Sequence, residues 1–284
     1  MKHLPPPPFS AKSTLELCAT CRDESALQVR VKSISAYVET AEAAYSQHGT
    51  AATLFTIAPT NGVNGCVTTD EMKQLYNGTL ARSNSAARYV YDAIKLSSKL
   101  CPLCGLRQVS QLDHYLAKSL HPTYAVAPIN LVPTCSDCNK AKRDKQPRTS
   151  GEQTLHPYFD DIDDVVWLHA SVDETEPPTV TFQMRPGKRW SNVKRQRASH
   201  HFDTFGLGEL YATYAAEELV LMEQRLRTLA DTGGQRSVRT YLVQERVSRR
   251  AAAKNSWQAA MFGALSQSRW FYQGGHKQIC SNGT

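Results

Sequence analysis

Leu27, Val31, Ile34, Val38, Ala41 and Tyr45 recur at steps of three and four. That spacing lays one apolar stripe along an amphipathic helix, with Gly49 as its expected stop. The segment Pro59-Thr60-Asn61-Gly62-Val63-Asn64-Gly65 is a turn-rich break. Thr68 followed by Glu71 predicts a capping box opening a second helix, whose core face holds Met72, Leu75, Tyr76 and Leu80. Ala87, Val90, Tyr91 and Ile94 predict a third helix, ending near Ser97 and Ser98. From residue 101 to 148 helical periodicity lapses, and Cys, His, Asn, Pro and Lys gather as they do in compact metal modules. After the acidic run Asp160, Asp161, Asp163 and Asp164, strands are expected over 165–172 and 179–184, across the turn signal Glu176-Pro177-Pro178. Leu219, Met222, Leu226 and Leu229 then restore helical spacing, and a frayed tail is expected after Gly274. The chain thus divides into a helical region 1–99, a central module 100–160, and a region 161–284 of short strands followed by helices.

Composition narrows the class. With 284 residues and 41% hydrophobic positions, the chain can bury a substantial core. No apolar run approaches the roughly 20 residues of a membrane span. The Pro-rich start, Pro5 to Pro8, lacks the apolar segment of a signal peptide, so a cytoplasmic protein without membrane partners is expected. Thiols stay reduced there. The eight cysteines therefore read as metal ligands or buried thiols rather than disulfides. Lys and Arg outnumber Asp and Glu by 33 to 26, which permits a polyanionic partner without requiring one.

Cys101-Pro102-Leu103-Cys104 and Cys135-Ser136-Asp137-Cys138 are two C-x-x-C pairs. Each such turn aims both sulfurs at one centre, and two turns complete a tetrahedral, closed zinc site of the structural kind. Reduced, unliganded thiols are the alternative. Cys18 and Cys21 form a third pair without a matching fourth, read as two cysteines on a helix or as half of another metal site.

Between the two pairs stand Leu112-Asp113-His114-Tyr115 and Asn130-Leu131-Val132-Pro133, and Asn139 and Lys142 follow Cys138. This succession, C-x-x-C, D-H, N-L-V-P and C-x-x-C-N-x-x-K, resembles the HNH endonuclease family over roughly a sixth of the chain. His156-Pro157-Tyr158-Phe159-Asp160 is similar to a box that follows the module in some stand-alone bacterial HNH proteins. The resemblance implies an α+β protein with a ββα-metal core. It also implies that Asp113 and Asn139 bind one catalytic Mg²⁺ or Mn²⁺, while His114 is the general base. Asn130 would serve catalysis by holding a loop and orienting His114, or it would cap a turn. The last metal position is Asn rather than His, a variant also seen in the HNH domains of CRISPR effectors. His156 would approach the site or begin a turn.

The chemistry is compatible with the residue types. A neutral imidazole with an ordinary pKa near 6.5 can take a proton from water. Asp113 and His114 are adjacent, so on a strand they face opposite ways, one toward a metal and the other toward the attacking water. Carboxylate and amide oxygens are hard ligands suited to Mg²⁺. Lys140, Lys142, Arg143 and Lys145 would contact DNA phosphates, or form a solvated basic face. The basic run from Arg185 to Arg197 contains Trp190, which would stack on a base or lie in the core.

The expected activity is hydrolysis of DNA phosphodiesters to 5′-phosphate and 3′-hydroxyl ends. By the resemblance, an ATPase partner is expected, as in Septu-like anti-phage defence, and self-association is a further expectation. Two readings compete: a non-catalytic zinc module that binds nucleic acid or protein, and a redox protein using Cys18 and Cys21.

Overall fold

The stripe from Leu27 to Tyr45 lies on a 26-residue helix, Ser25–Thr50, in a computed structural model that describes residues 1–142 and 146–280. This helix, α2, buries Leu27, Val31, Ile34, Val38 and Tyr45 on one face, with α1 (Ala11–Thr20) packed against it. The expected stop at Gly49 holds to within one residue. The helix continues to Thr50, and a Cβ at Gly49 would stand 2.4 Å from the Phe159 ring. The glycine is there for close approach.

The Thr68–Glu71 capping box is formed, and it opens α3 (Thr69–Leu75). The helix then widens into a π-helical turn, Tyr76–Leu80, closed by Ala81 N–H donating to the Tyr76 carbonyl at 2.8 Å. Such turns commonly mark functional sites. Next comes α4 (Arg88–Leu96), burying Val90, Tyr91 and Ile94. It packs on a two-stranded antiparallel sheet made of β1 (Gln111–His114) and β2 (Leu131–Thr134). Asp113 faces Val132 and His114 faces Leu131 in the register. The Tyr91 hydroxyl accepts the Leu112 N–H at 3.3 Å, so α4 sets the strand's position directly. The short helix α5 (Ser136–Lys142) follows β2.

These elements form one of two compact units, Met1–Asp161; the other begins at Ile162. The second unit holds the antiparallel pair β3 (Leu168–Asp173) and β4 (Thr179–Met184). The first strand starts later than position 165 because the Trp167 and Leu168 N–H groups both donate to the Asn255 side chain instead of a partner strand. Four helices complete the unit: α6 (Asn192–Thr204), α7 (Leu207–Ala252), α8 (Trp257–Gln267) and α9 (Arg269–Gln273). The long α7 breaks at Gly234, whose φ of 64° lies outside the helical region and costs glycine little. Trp190 is buried and donates Nε1–H to the Asp164 carboxylate, so it belongs to the core and not to a base-stacking surface. The expected frayed tail is corrected as far as residue 280, where His276 and Ile279 are buried and Gly275–Gln278 forms a 3-10 turn; the rest of it, 281–284, lies outside the described residues. Among the described residues, no helix is long and apolar enough to cross a membrane.

Candidate active site and metal centre

The four cysteines of the two central pairs are buried, and their sulfurs all lie within 4.8 Å of one another. A tetrahedral zinc with bonds of about 2.3 Å places its sulfurs about 3.8 Å apart, so the cluster could hold a structural zinc. Backbone turns shape it. Cys101 N–H donates to the Arg107 carbonyl at 2.7 Å, and Gly105 N–H returns to the Cys101 carbonyl at 2.7 Å. The N–H groups of Arg107 and Cys138 point at the sulfurs of Cys104 and Cys135, both at 3.5 Å. Hydrogen bonding among the sulfurs holds the Cys104 and Cys135 thiols below the usual range and pushes Cys101 and Cys138 above it. A divalent metal binds such cysteines as thiolates, displacing their protons. The third pair does not join them. Burial pushes the Cys18 thiol up to about 12, and Cys21 caps α1; among the described residues neither belongs to a metal-type cluster.

His114 ends β1, with its side chain buried. Its Nε2 lies 2.7 Å from the Ala125 carbonyl oxygen. A carbonyl only accepts, so Nε2 carries the proton and Nδ1 presents the lone pair. Burial pushes the imidazole pKa down to about 3; the Lys118 and Lys142 ammonium groups push the same way, against the Ala125 bond. The ring is therefore neutral across the physiological range. Tyr76, from the π-helical turn, packs edge-on against it with centroids 4.3 Å apart. Lys118 lies over Tyr76 at 4.3 Å and donates to the Asn77 side chain at 2.9 Å.

Asp113 is half-buried, alternating with the buried His114 along β1. One of its carboxylate oxygens pairs with Lys142 Nζ at 2.9 Å, and the same ammonium donates to the His114 carbonyl at 2.7 Å. Asn139 precedes Lys142 by three residues on α5, a spacing that puts the two on one side of that helix. Carboxylate and amide oxygens are hard donors of the kind that could hold a Mg²⁺-class ion. Of the four basic residues expected to touch phosphate, Lys140 is exposed and Lys142 is bonded into this site. Arg143 and Lys145 lie outside the described residues.

Asn130 is fully buried, and its side chain is used up by four bonds. Its Oδ1 accepts from Leu116 N–H at 2.7 Å and from the Tyr45 hydroxyl at 3.0 Å. Its Nδ2 donates to the Leu116 and Tyr124 carbonyls at 3.0 and 3.1 Å. The amide thus clamps both ends of the loop that presents the Ala125 carbonyl to His114. His156 is also fully buried, with Nε2 3.2 Å from the Tyr45 hydroxyl. Sequence reasoning placed Tyr45 and Tyr76 in the core and left Lys118 unremarked. The one available signal was a hydroxyl-bearing ring closing an otherwise aliphatic stripe.

No protein-family model matches this chain, and no solved structure matches it. The chain is similar to Protein ea31 of Escherichia phage lambda, at 28% identity over 235 residues, covering 77% of this chain and 79% of that protein. The part of the chain left outside is shorter than either flank of the cysteine module. A continuous match of that span therefore includes the module and reaches into both units.

Proposed function

We propose that this protein is a metal-dependent DNA endonuclease of the HNH type, with β1, β2 and α5 as its ββα-metal core and the four cysteines as its structural zinc site. The observation that carries the reading is the His114 Nε2–Ala125 bond, which leaves a neutral imidazole with Nδ1 as a base, one residue along β1 from a half-buried carboxylate. Mg²⁺ or Mn²⁺ held by Asp113 and Asn139 would supply Lewis acidity at the scissile phosphate and the departing 3′ oxygen.

The remaining steps belong to the chain. His114 Nδ1 takes the proton as the water oxygen bonds to phosphorus, and the P–O3′ bond breaks; the departing 3′ oxygen takes a proton from solvent, leaving 5′-phosphate and 3′-hydroxyl ends. The arriving phosphate charge raises the His114 pKa from its low resting value toward the working range. Tyr76 keeps the imidazole from turning. Lys118 and Lys140 offer positive charge to the DNA backbone. Control by an ATPase partner in phage defence rests on the HNH resemblance alone. The second reading, a non-catalytic zinc module, is favoured by one contact: Lys142 already neutralises Asp113.

Supercoiled plasmid separates the two. Zinc-loaded wild type should nick it in Mg²⁺ or Mn²⁺ and stop in EDTA, while His114→Ala with equal zinc should be slower by about 10²- to 10⁴-fold. Equal cleavage by both proteins would remove His114 as the base. Plasmid binding without cleavage by wild type, with or without an ATPase partner, would leave the binding module.

A further inference from the structure

The bonds around Asn130 have a direction. Tyr158 N–H points at His156 Nδ1 at 3.2 Å, and a backbone N–H only donates. His156 Nδ1 is therefore the acceptor, and Nε2 carries the proton toward the Tyr45 oxygen. With its oxygen occupied, the Tyr45 hydroxyl donates its own proton to Asn130 Oδ1. The opposite His156 tautomer would draw the Tyr45 proton to itself and withdraw it from Asn130. The chain of donors runs one way, from the 156–160 box through α2 to the start of β2.

That direction matters because a carboxamide is nearly symmetric in shape. Two donors at Oδ1, Tyr45 and Leu116 N–H, define which end is oxygen. The other end then holds the Leu116 and Tyr124 carbonyls, and Tyr124 adjoins Ala125, whose carbonyl holds His114. A turned amide would release both carbonyls and leave a buried N–H facing another N–H. Packing alone does not call for the hydroxyl: the Tyr45 ring sits among Tyr124 and Phe159, where phenylalanine would fit. A polar atom at zero exposure costs stability unless fully bonded.

We propose that Tyr45 and His156 are positioning residues for His114, acting through Asn130 and the loop of residues 116–125 to hold the imidazole in its Nε2–H tautomer. This rests on the nuclease reading of His114, and the test separates the two. Histidine labelled with ¹⁵N reports the tautomer of His114 by NMR whether or not the protein cleaves DNA.

In wild type the His114 signal should show Nε2–H alone, exchanging slowly with solvent. Tyr45→Phe, at unchanged zinc content, should speed that exchange at least about tenfold and lower kcat by about 10- to 100-fold with KM within about twofold. Should Tyr45→Phe fail to fold, His156→Phe and His156→Gln carry the same readouts. Glutamine keeps a donor nitrogen near the place of Nε2, so it should restore most of what phenylalanine removes. An unchanged His114 signal in the variants, or a changed signal with unchanged kcat in an active protein, would overturn the proposal. A wild type that never cleaves would remove the nuclease reading, and the tautomer measurement would still decide the positioning.

Discussion

The four-cysteine corner and the His114 corner stand at opposite ends of one short strand. Cys135 follows β2 and Asn130 precedes it, so roughly 13 Å of strand separates them. The cysteine corner is local, with two turns each supplying two sulfurs and every ligand falling between residues 101 and 138. Its four sulfurs crowd one another, and the cluster could hold an external ion. The His114 corner is assembled from α2, β1, the start of β2 and the 156–160 box, and protein hydrogen bonds tie these distant elements together. One corner is stapled and the other is keyed. A staple fails when its ion is removed, whereas a keyed site fails when a single distant partner changes.

Cutting the staple should have the largest effect. Cys138→Ser should take bound zinc from one per chain to none by metal analysis, and should melt the module at ordinary temperatures. Structural zinc contributes on the order of 10 kcal/mol in small modules. Retention of the slowly exchanging His114 Nε2–H in that variant would show that the two corners stand independently.

Turning the key should cost less. Asn130→Ala leaves the Leu116 N–H and carbonyl, the Tyr124 carbonyl and the Tyr45 hydroxyl without this partner. A loss of about 2–4 kcal/mol in unfolding free energy is expected, with zinc content unchanged. Loss of zinc from Asn130→Ala would join the corners into one cooperative element.

The smallest effect lies outside both. The Arg30 guanidinium holds the Glu71 carboxyl at about 2, below its ordinary 4.5. A depressed carboxyl stabilises the fold above its ordinary pKa, and that benefit drains away as pH falls toward the folded value. Both side chains are partly exposed, so Glu71→Gln should cost about 1 kcal/mol or less at pH 7. The gap from wild type in urea unfolding should narrow between pH 5 and pH 3. A gap that widens on acidification would reverse the sign of the pair.

Legibility in the sequence followed the range of the interaction. The α2 stripe and the Thr68–Glu71 cap were readable because helical period and capping act within a few residues. The cysteine pairs were readable because C-x-x-C is a turn with its own geometry, and the four sulfurs do converge. Asp113 and His114 alternate along β1 as strand period demands. Gly49 reads locally as a helix stop, and only the Phe159 ring, 110 positions later, shows that it is also a point of close approach. Lys142 looked like a surface cation until the fold set it against Asp113.

Local chemistry along the chain therefore determined the long amphipathic helix, the capped helix start and the four-sulfur cluster of this protein. Tertiary structure alone decided how the imidazole is held. Tyr45 meets Asn130 across 85 positions and His156 across 111, and no periodicity reaches that far. A buried hydroxyl finds its partners only when packing has excluded water and brought distant elements together, and that packing is a property of the whole unit.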